Sequence, residues 1–253
     1  MALRRVEPVM GTMVSIDVRD RVVPTDAVDG AVAWLHEVDA RFSPFRPDSE
    51  ISRLAEGTLA EVDAHPDVHI VLALCDELRR DSDGAFDARA WRSDGRLDPS
   101  GLVKGWAVQL AADRLVVAGV RAFAINAGGD IVARSSPTIR GSWRVGIRHP
   151  DHIDRVASVV AVQDGAVATS GDYERGAHIR DPRSGGARAT GLRSVTVAGP
   201  SLTWADAYAT TAFIKGVEGL AWVARHEGYA AYAITDDDRV LWTEGFERYL
   251  AAA

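Results

Sequence analysis

In the segment LDPSGLVKGWA, residues 97 to 107, an aspartate, a serine and a glycine lead into a helix with a lysine in its first turn. Free N–H groups at such a helix start attract anions, and Lys104 adds a mobile positive charge, so a diphosphate suits the position. The same letters also fit plain capping by Asp98 or Ser100. The run is not a P-loop, because the glycine spacing fails and no Ser or Thr follows the lysine. A second cluster, TWADAYATTAF at 203 to 213, sets Asp206 and Thr210 four residues apart, on one face of a helix. Two oxygens a turn apart can share a hard cation such as magnesium, which takes a few protein oxygens and fills its octahedron with water and substrate phosphate. The alternatives here are a capping box from Thr203 and Asp206, and a Thr210 hydroxyl returned to a backbone carbonyl.

Two further segments carry polar groups in turn-forming contexts. NAGGD, residues 126 to 130, follows an apolar strand; its paired glycines let backbone approach a ligand, and Asp130 can orient a polar group or support a metal site, though a tight turn explains the same residues. ATSGDYERGAHIRDPRSG, residues 168 to 185, gathers hydroxyls, two aspartates, Tyr173 and His178 into a stretch poor in core-forming residues, which reads as a loop able to hold a site. His178 beside Ile179 also fits a satisfied imidazole directed into a sheet.

These segments need elements to hold them. Met13 to Val18 alternates like a strand, and Thr25 to Phe42 carries Val28, Val32, Leu35, Val38 and Phe42 at helical spacing. Pro44, Pro47 and Asp48 break that helix, and Ile51 with Leu54 predicts a short helical turn. Further helices are expected from near Asp67 to before Gly84 and from about Gly101 to Ala118. Short strands follow at Ala122 to Ile125, Asp130 to Ala133, Trp143 to Ile147, Val156 to Val162 and Ser194 to Val197. Leu202 to Arg225 returns to helix with a break at Gly216, and Tyr229 to Ile234 pairs with Val240 to Trp242 around the turn at Asp236 to Asp238. The class is α+β. Strands and helices do not alternate regularly, which argues against a doubly wound parallel sheet.

The chain has 253 residues, 47% of them hydrophobic, enough for a substantial core. A formal charge of −7 argues against an electrostatic grip on nucleic acid or on an anionic membrane. No apolar run reads as an export signal or membrane anchor, so a cytoplasmic location is expected. Cys75, the single cysteine, sits among apolar helical positions and reads as a buried thiol.

In order along the chain, PVMGT (8 to 12), FSPFRPDSEISRL (42 to 54), DGAFD (83 to 87), LDPSGLVKGWA, INAGGD (125 to 130), ATSGDYER (168 to 175), HIRDPRSG (178 to 185) and WADAYATTAFIKG (204 to 216) resemble the ApbE-type FAD:protein FMN transferases. The resemblance implies an α+β fold of mixed, largely antiparallel sheets packed with helices in two lobes, in a single domain over residues 1 to 253. It implies an FAD pocket contacted by Met10, Ala85, Phe86, Asp87, Asp98, Lys104, Asp130 and Ser170. It implies magnesium held by the Gly101 carbonyl, the Asp206 carboxylate and the Thr210 hydroxyl, with His178 and Asp206 as catalytic residues. The implied reaction is attack of a Ser or Thr hydroxyl of a target flavoprotein on the FMN-side phosphorus of FAD, with AMP leaving. A magnesium-dependent FAD pyrophosphatase and a non-catalytic FAD-binding protein are the alternatives. Asp206 is expected on a surface-facing side of its helix. Ala55 stands where relatives commonly show asparagine, and the chain lacks the lipid-attachment cysteine of exported relatives. DGAVATSG, residues 164 to 171, raises self-flavinylation at Thr169 as a minor possibility.

Overall fold

Leu3–Val9 (β1) and Thr12–Val18 (β2) form an antiparallel hairpin closed by Met10 and Gly11. Both turn residues have positive φ, 54° and 66°, the combination that matches the right-handed twist of the flanking strands. The structure, a computed structural model, describes residues 3–24, 26–90, 94–135, 141–152, 154–171, 181–184 and 191–251. The sequence predicts one opening strand, and β1 is an addition to it. As the sheet's edge, β1 is exposed along most of its length, so no apolar alternation marks it. Arg4, Arg5, Glu7 and Pro8 blunt that edge against further pairing.

The helices follow where their periodicity predicts: α1 (Ala27–Phe42), α2 (Glu50–Ala55), α3 (Pro66–Asp81) and α4 (Ser100–Val117). α1 buries Val28, Val32, Leu35, Val38 and Phe42, one stripe at helical spacing. α2 is capped by Ser49, whose hydroxyl accepts the Ser52 N–H at 3.1 Å. Cys75 is buried within α3, and burial pushes its thiol pKa up, away from reactivity.

Eight further strands and two helices complete the described chain: β3 (Phe123–Ala127), β4 (Asp130–Arg134), β5 (Trp143–Arg148), β6 (Val156–Val162), β7 (Gly165–Gly171), β8 (Leu192–Gly199), α5 (Leu202–Lys215), α6 (Glu218–Val223), β9 (Ala230–Thr235) and β10 (Val240–Trp242). One sheet runs in the order β1-β2-β3-β4-β7-β8-β9-β10, with every neighbouring pair antiparallel. β5 and β6 pair as a separate ribbon. β7 corrects the sequence reading, which gives residues from 168 onward to a loop. Its GAVATSG lacks the large β-branched residues that signal a strand, yet it pairs with β4 and β8 on either side and packs under α5.

Side chains alternate across the sheet, and both faces are covered. Ile125, Val132, Ala168, Val197 and Ala233 point into the core shared with the helices. Ala124, Ala133, Val167, Ala198 and Ile234 point the other way, into a second core under β5, β6 and Phe246. The layering is therefore helices, sheet, ribbon, which makes the α+β class concrete. No described helix is long and apolar enough to cross a membrane.

Candidate functional site

A cavity of about 560 Å³ opens where the β1–β2 and β3–β4 turns and the end of β7 meet the last turn of α1, the first turn of α4 and α5. The parity of the strands decides which side chains face the helices beside it. Asp130 lies two residues before Val132 and Ser170 two after Ala168, so both side chains face the helix layer. α4 brings Gly101 and Lys104 from its start, and α5 brings Asp206 and Thr210 one turn apart.

These groups form a connected polar cluster. Lys104 Nζ sits against Asp130 Oδ2 and lies 3.5 Å from Asp206 Oδ1. The Thr169 N–H donates to Asp130 Oδ1 at 3.0 Å, and the Ser170 and Thr210 hydroxyls are 3.0 Å apart. Asp206 is only 4% exposed, and its Oδ2 is buried with no hydrogen-bond partner among the described residues. Burial pushes the Asp206 carboxyl well above its ordinary value; Lys104 opposes the shift and the Asp130 carboxylate adds to it. The expectation of a surface-facing Asp206 is thus corrected: α5 is enclosed between α4 and the sheet, so its polar residues are interior groups aimed at a cavity. Neither bland reading of this helix holds, since Ser201 precedes it without a side-chain cap and Thr210 bonds Ser170 rather than a carbonyl.

An orphaned buried carboxylate oxygen, a hydroxyl one turn on and the all-oxygen character of the set fit a hard divalent cation. Gly105 allows the two helices to meet there: a Cβ on it would come 2.6 Å from the Leu202 carbonyl oxygen and 2.9 Å from Asp206 Cβ.

The other predicted residues divide. Met10, Asp98 and Ser170 line the same cavity as Lys104, Gly101, Asp206 and Thr210. Asp98 both lines it and shapes the entry to α4, accepting the Ser100 N–H at 3.0 Å. Ala85, Phe86, Asp87 and Asp130 are not among its lining residues, Asp130 standing behind Lys104. Ala85 and Phe86 are fully buried, and the Phe86 ring lies beneath Gly101, where an added Cβ would meet it at 3.0 Å. Phe86 therefore supports the turn at Gly101 from behind, while the Asp87 carboxylate accepts the Arg89 N–H. Ala55 ends α2 away from the lining residues. Thr169 lines the cavity with its hydroxyl 2.9 Å from that of Thr196. His178 and Tyr173 lie outside the described residues.

Sequence reasoning missed one wall: Asp39, Phe42, Ser43, Pro44 and Phe45, the end of α1 and the turn after it. The signal was a pair of aromatics, Phe42 and Phe45, on either side of a helix-breaking proline, and Phe45 is 86% exposed at the rim.

Met10 pays for its place on the wall with a left-handed backbone that costs a non-glycine residue about 1–2 kcal/mol. The Met10 side chain also packs against the core, so in Met10→Gly the relief of strain is set against lost packing.

The chain matches the ApbE family over residues 10–92 and 88–233. It is 29% identical over 164 residues to the FAD:protein FMN transferase of Klebsiella pneumoniae (strain 342), covering 61% of this chain and 45% of that protein. It is 31% identical over 237 residues to the FAD:protein FMN transferase of Rhodobacter capsulatus, covering 89% of this chain and 42% of that protein. The chain thus spans a little under half the length of these two curated relatives. The fold superposes on the ApbE protein from Thermotoga maritima with a TM-score of 0.88 at 20% identity, over 100% of both chains. It superposes on Flavin Transferase ApbE from Vibrio cholerae with a TM-score of 0.85 at 23% identity, over 99% of both. With the family match spanning most of its length and the fold agreeing throughout, the chain belongs to the ApbE family.

Proposed function

We propose that the chain is a magnesium-dependent FAD:protein FMN transferase, which takes FMN from FAD, joins it through a phosphoester to a serine or threonine hydroxyl of a target flavoprotein, and releases AMP. The observation that carries this reading is the buried Asp206 carboxylate, which lines the cavity one turn from Thr210 and whose Oδ2 has no hydrogen-bond partner among the described residues. The names of the relatives support the same chemistry.

In this reading the Gly101 carbonyl, the Asp206 carboxylate and the Thr210 hydroxyl hold the cation, which when bound supplies positive charge to the phosphate oxygens. Met10, Asp98, Lys104 and Ser170 contact the nucleotide, and the N–H groups at the start of α4 favour its anionic diphosphate. The acceptor hydroxyl oxygen forms a bond to the FMN-side phosphorus as the bridging P–O bond breaks. AMP departs with that electron pair, and His178 takes the hydroxyl proton, a role suited to a group that titrates near neutrality. The rest of the site positions the reactants, which is most of what phosphoryl transfer asks of a protein.

The test is incubation with FAD, magnesium and candidate flavoprotein domains. An acceptor mass increased by FMN, with one AMP per event, is the expected result. AMP with free FMN in the absence of acceptor identifies a pyrophosphatase, and FAD retention without AMP a binding protein. His178→Ala is expected to lower turnover by ~100-fold or more with FAD affinity unchanged; loss of affinity alone would move His178 from chemistry to binding.

A further inference from the structure

Lys104 stands between two buried carboxylates that it does not treat alike. Its ammonium sits against Asp130 and stays 3.5 Å from the nearer oxygen of Asp206. Asp130 is 2% exposed, and one of its oxygens is fixed by the Thr169 N–H of the neighbouring strand, so the other is aimed in a single direction, at Lys104. The lysine grows from the first turn of α4 on a flexible four-carbon stem, and without an anchor its next acceptor is the Asp206 carboxylate.

We propose that Asp130 is a positioning residue: it holds the Lys104 ammonium on its own side of the pair and thereby keeps the Asp206 carboxylate available to the cation. This rests on the cation reading of Asp206 above. A lysine collapsed onto Asp206 would occupy the ligand with a monovalent charge and repel a divalent ion from the same few ångströms, where screening by water is weak. The arrangement gives Asp130 a part in cation binding although it touches no cation itself. It also separates two roles of Lys104, which meets the nucleotide in the active complex yet competes with the metal whenever Asp130 releases it.

The experiment is a titration of the protein with Mn²⁺ alone, in the absence of FAD, with free Mn²⁺ read by electron paramagnetic resonance. Asp130→Asn keeps the side-chain shape and an oxygen to accept the Thr169 N–H but removes the charge that holds the lysine. It is expected to weaken Mn²⁺ binding by ~10-fold or more. Adding Lys104→Met in the Asp130→Asn background is expected to restore most of the loss, because the competing ammonium is gone. A merely structural Asp130 predicts no rescue, and a double variant as weak as Asp130→Asn overturns the proposal. Lys104→Met alone is expected to bind Mn²⁺ at least as tightly as wild type; weaker binding overturns the proposal even where Asp130→Asn fails to fold. Wild-type protein with no saturable Mn²⁺ site removes the cation reading itself, whereas saturable wild-type binding left unchanged by Asp130→Asn removes only the role of Asp130.

Discussion

Asp206→Asn is expected to abolish turnover while raising the melting temperature of the metal-free protein. Turnover should fall by ~1,000-fold or more, because a neutral amide cannot hold a cation against phosphate oxygens. Stability should move the other way. A carboxylate charge held in the interior with incomplete pairing costs on the order of a few kcal/mol, and each kcal/mol corresponds to roughly 2–4 °C in a protein of this size. The substitution preserves shape and removes a charge that burial disfavours.

The effect depends on pH with a definite sign. The Asp206 carboxyl is raised in the folded chain from 3.8 to about 7. Between those values the folded chain keeps a proton that the unfolded chain has released, so stability is present at the acid end and is lost as pH rises through the window. Scanning calorimetry in the presence of a chelator at pH 5 and pH 7.5 should show a larger drop for wild type than for Asp206→Asn. Equal drops, or a variant that melts lower at pH 7.5, would remove the picture of a frustrated carboxylate.

Gly105→Ala is expected to be among the most damaging single-methyl substitutions in the chain. Alanine gains about 1 kcal/mol of helix propensity over glycine, so an uncrowded site would be stabilised. Here the added Cβ meets the Leu202 carbonyl at 2.6 Å, backbone that cannot rotate away, and Asp206 Cβ at 2.9 Å. Overpacking of this kind typically costs 1–3 kcal/mol, and moving α5 also disturbs its seats on β7 and β8. The clash should win, lowering the melting temperature by several degrees and displacing Asp206 and Thr210 from the start of α4. Melting and Mn²⁺ titration together check both parts. A more stable variant with intact Mn²⁺ binding would mean that the helices do not meet as closely as described.

The helices were readable because periodicity is local: α1, α3 and α4 each show their buried stripe within the segment that forms them. β1 and β7 escaped for opposite reasons. β1 is an exposed edge with charged residues where alternation would show, and β7 is so enclosed that only Gly, Ala, Ser, Thr and one Val fit it. At the site, residue type and spacing were enough to mark Asp206 with Thr210 and the turn before α4. Their burial was not, because it depends on α5 packing onto β7, β8 and the distant α4, and on Gly105 letting α5 close over α4. The same long-range packing put Phe86 behind Gly101, a relation invisible in the run DGAFD.

Every residue of α5 from Ala205 to Ile214 is buried, so the helix that carries Asp206 and Thr210 has no free side on which to slide. The opposite wall ends in a proline turn whose Phe45 ring stands almost wholly in solvent. The shape of the cavity mouth can therefore be altered by rewriting residues 43 to 45 one at a time, whereas changes on the enclosed wall register first as misfolding. Drift in such a protein should accumulate at the doorway and spare the enclosed helix.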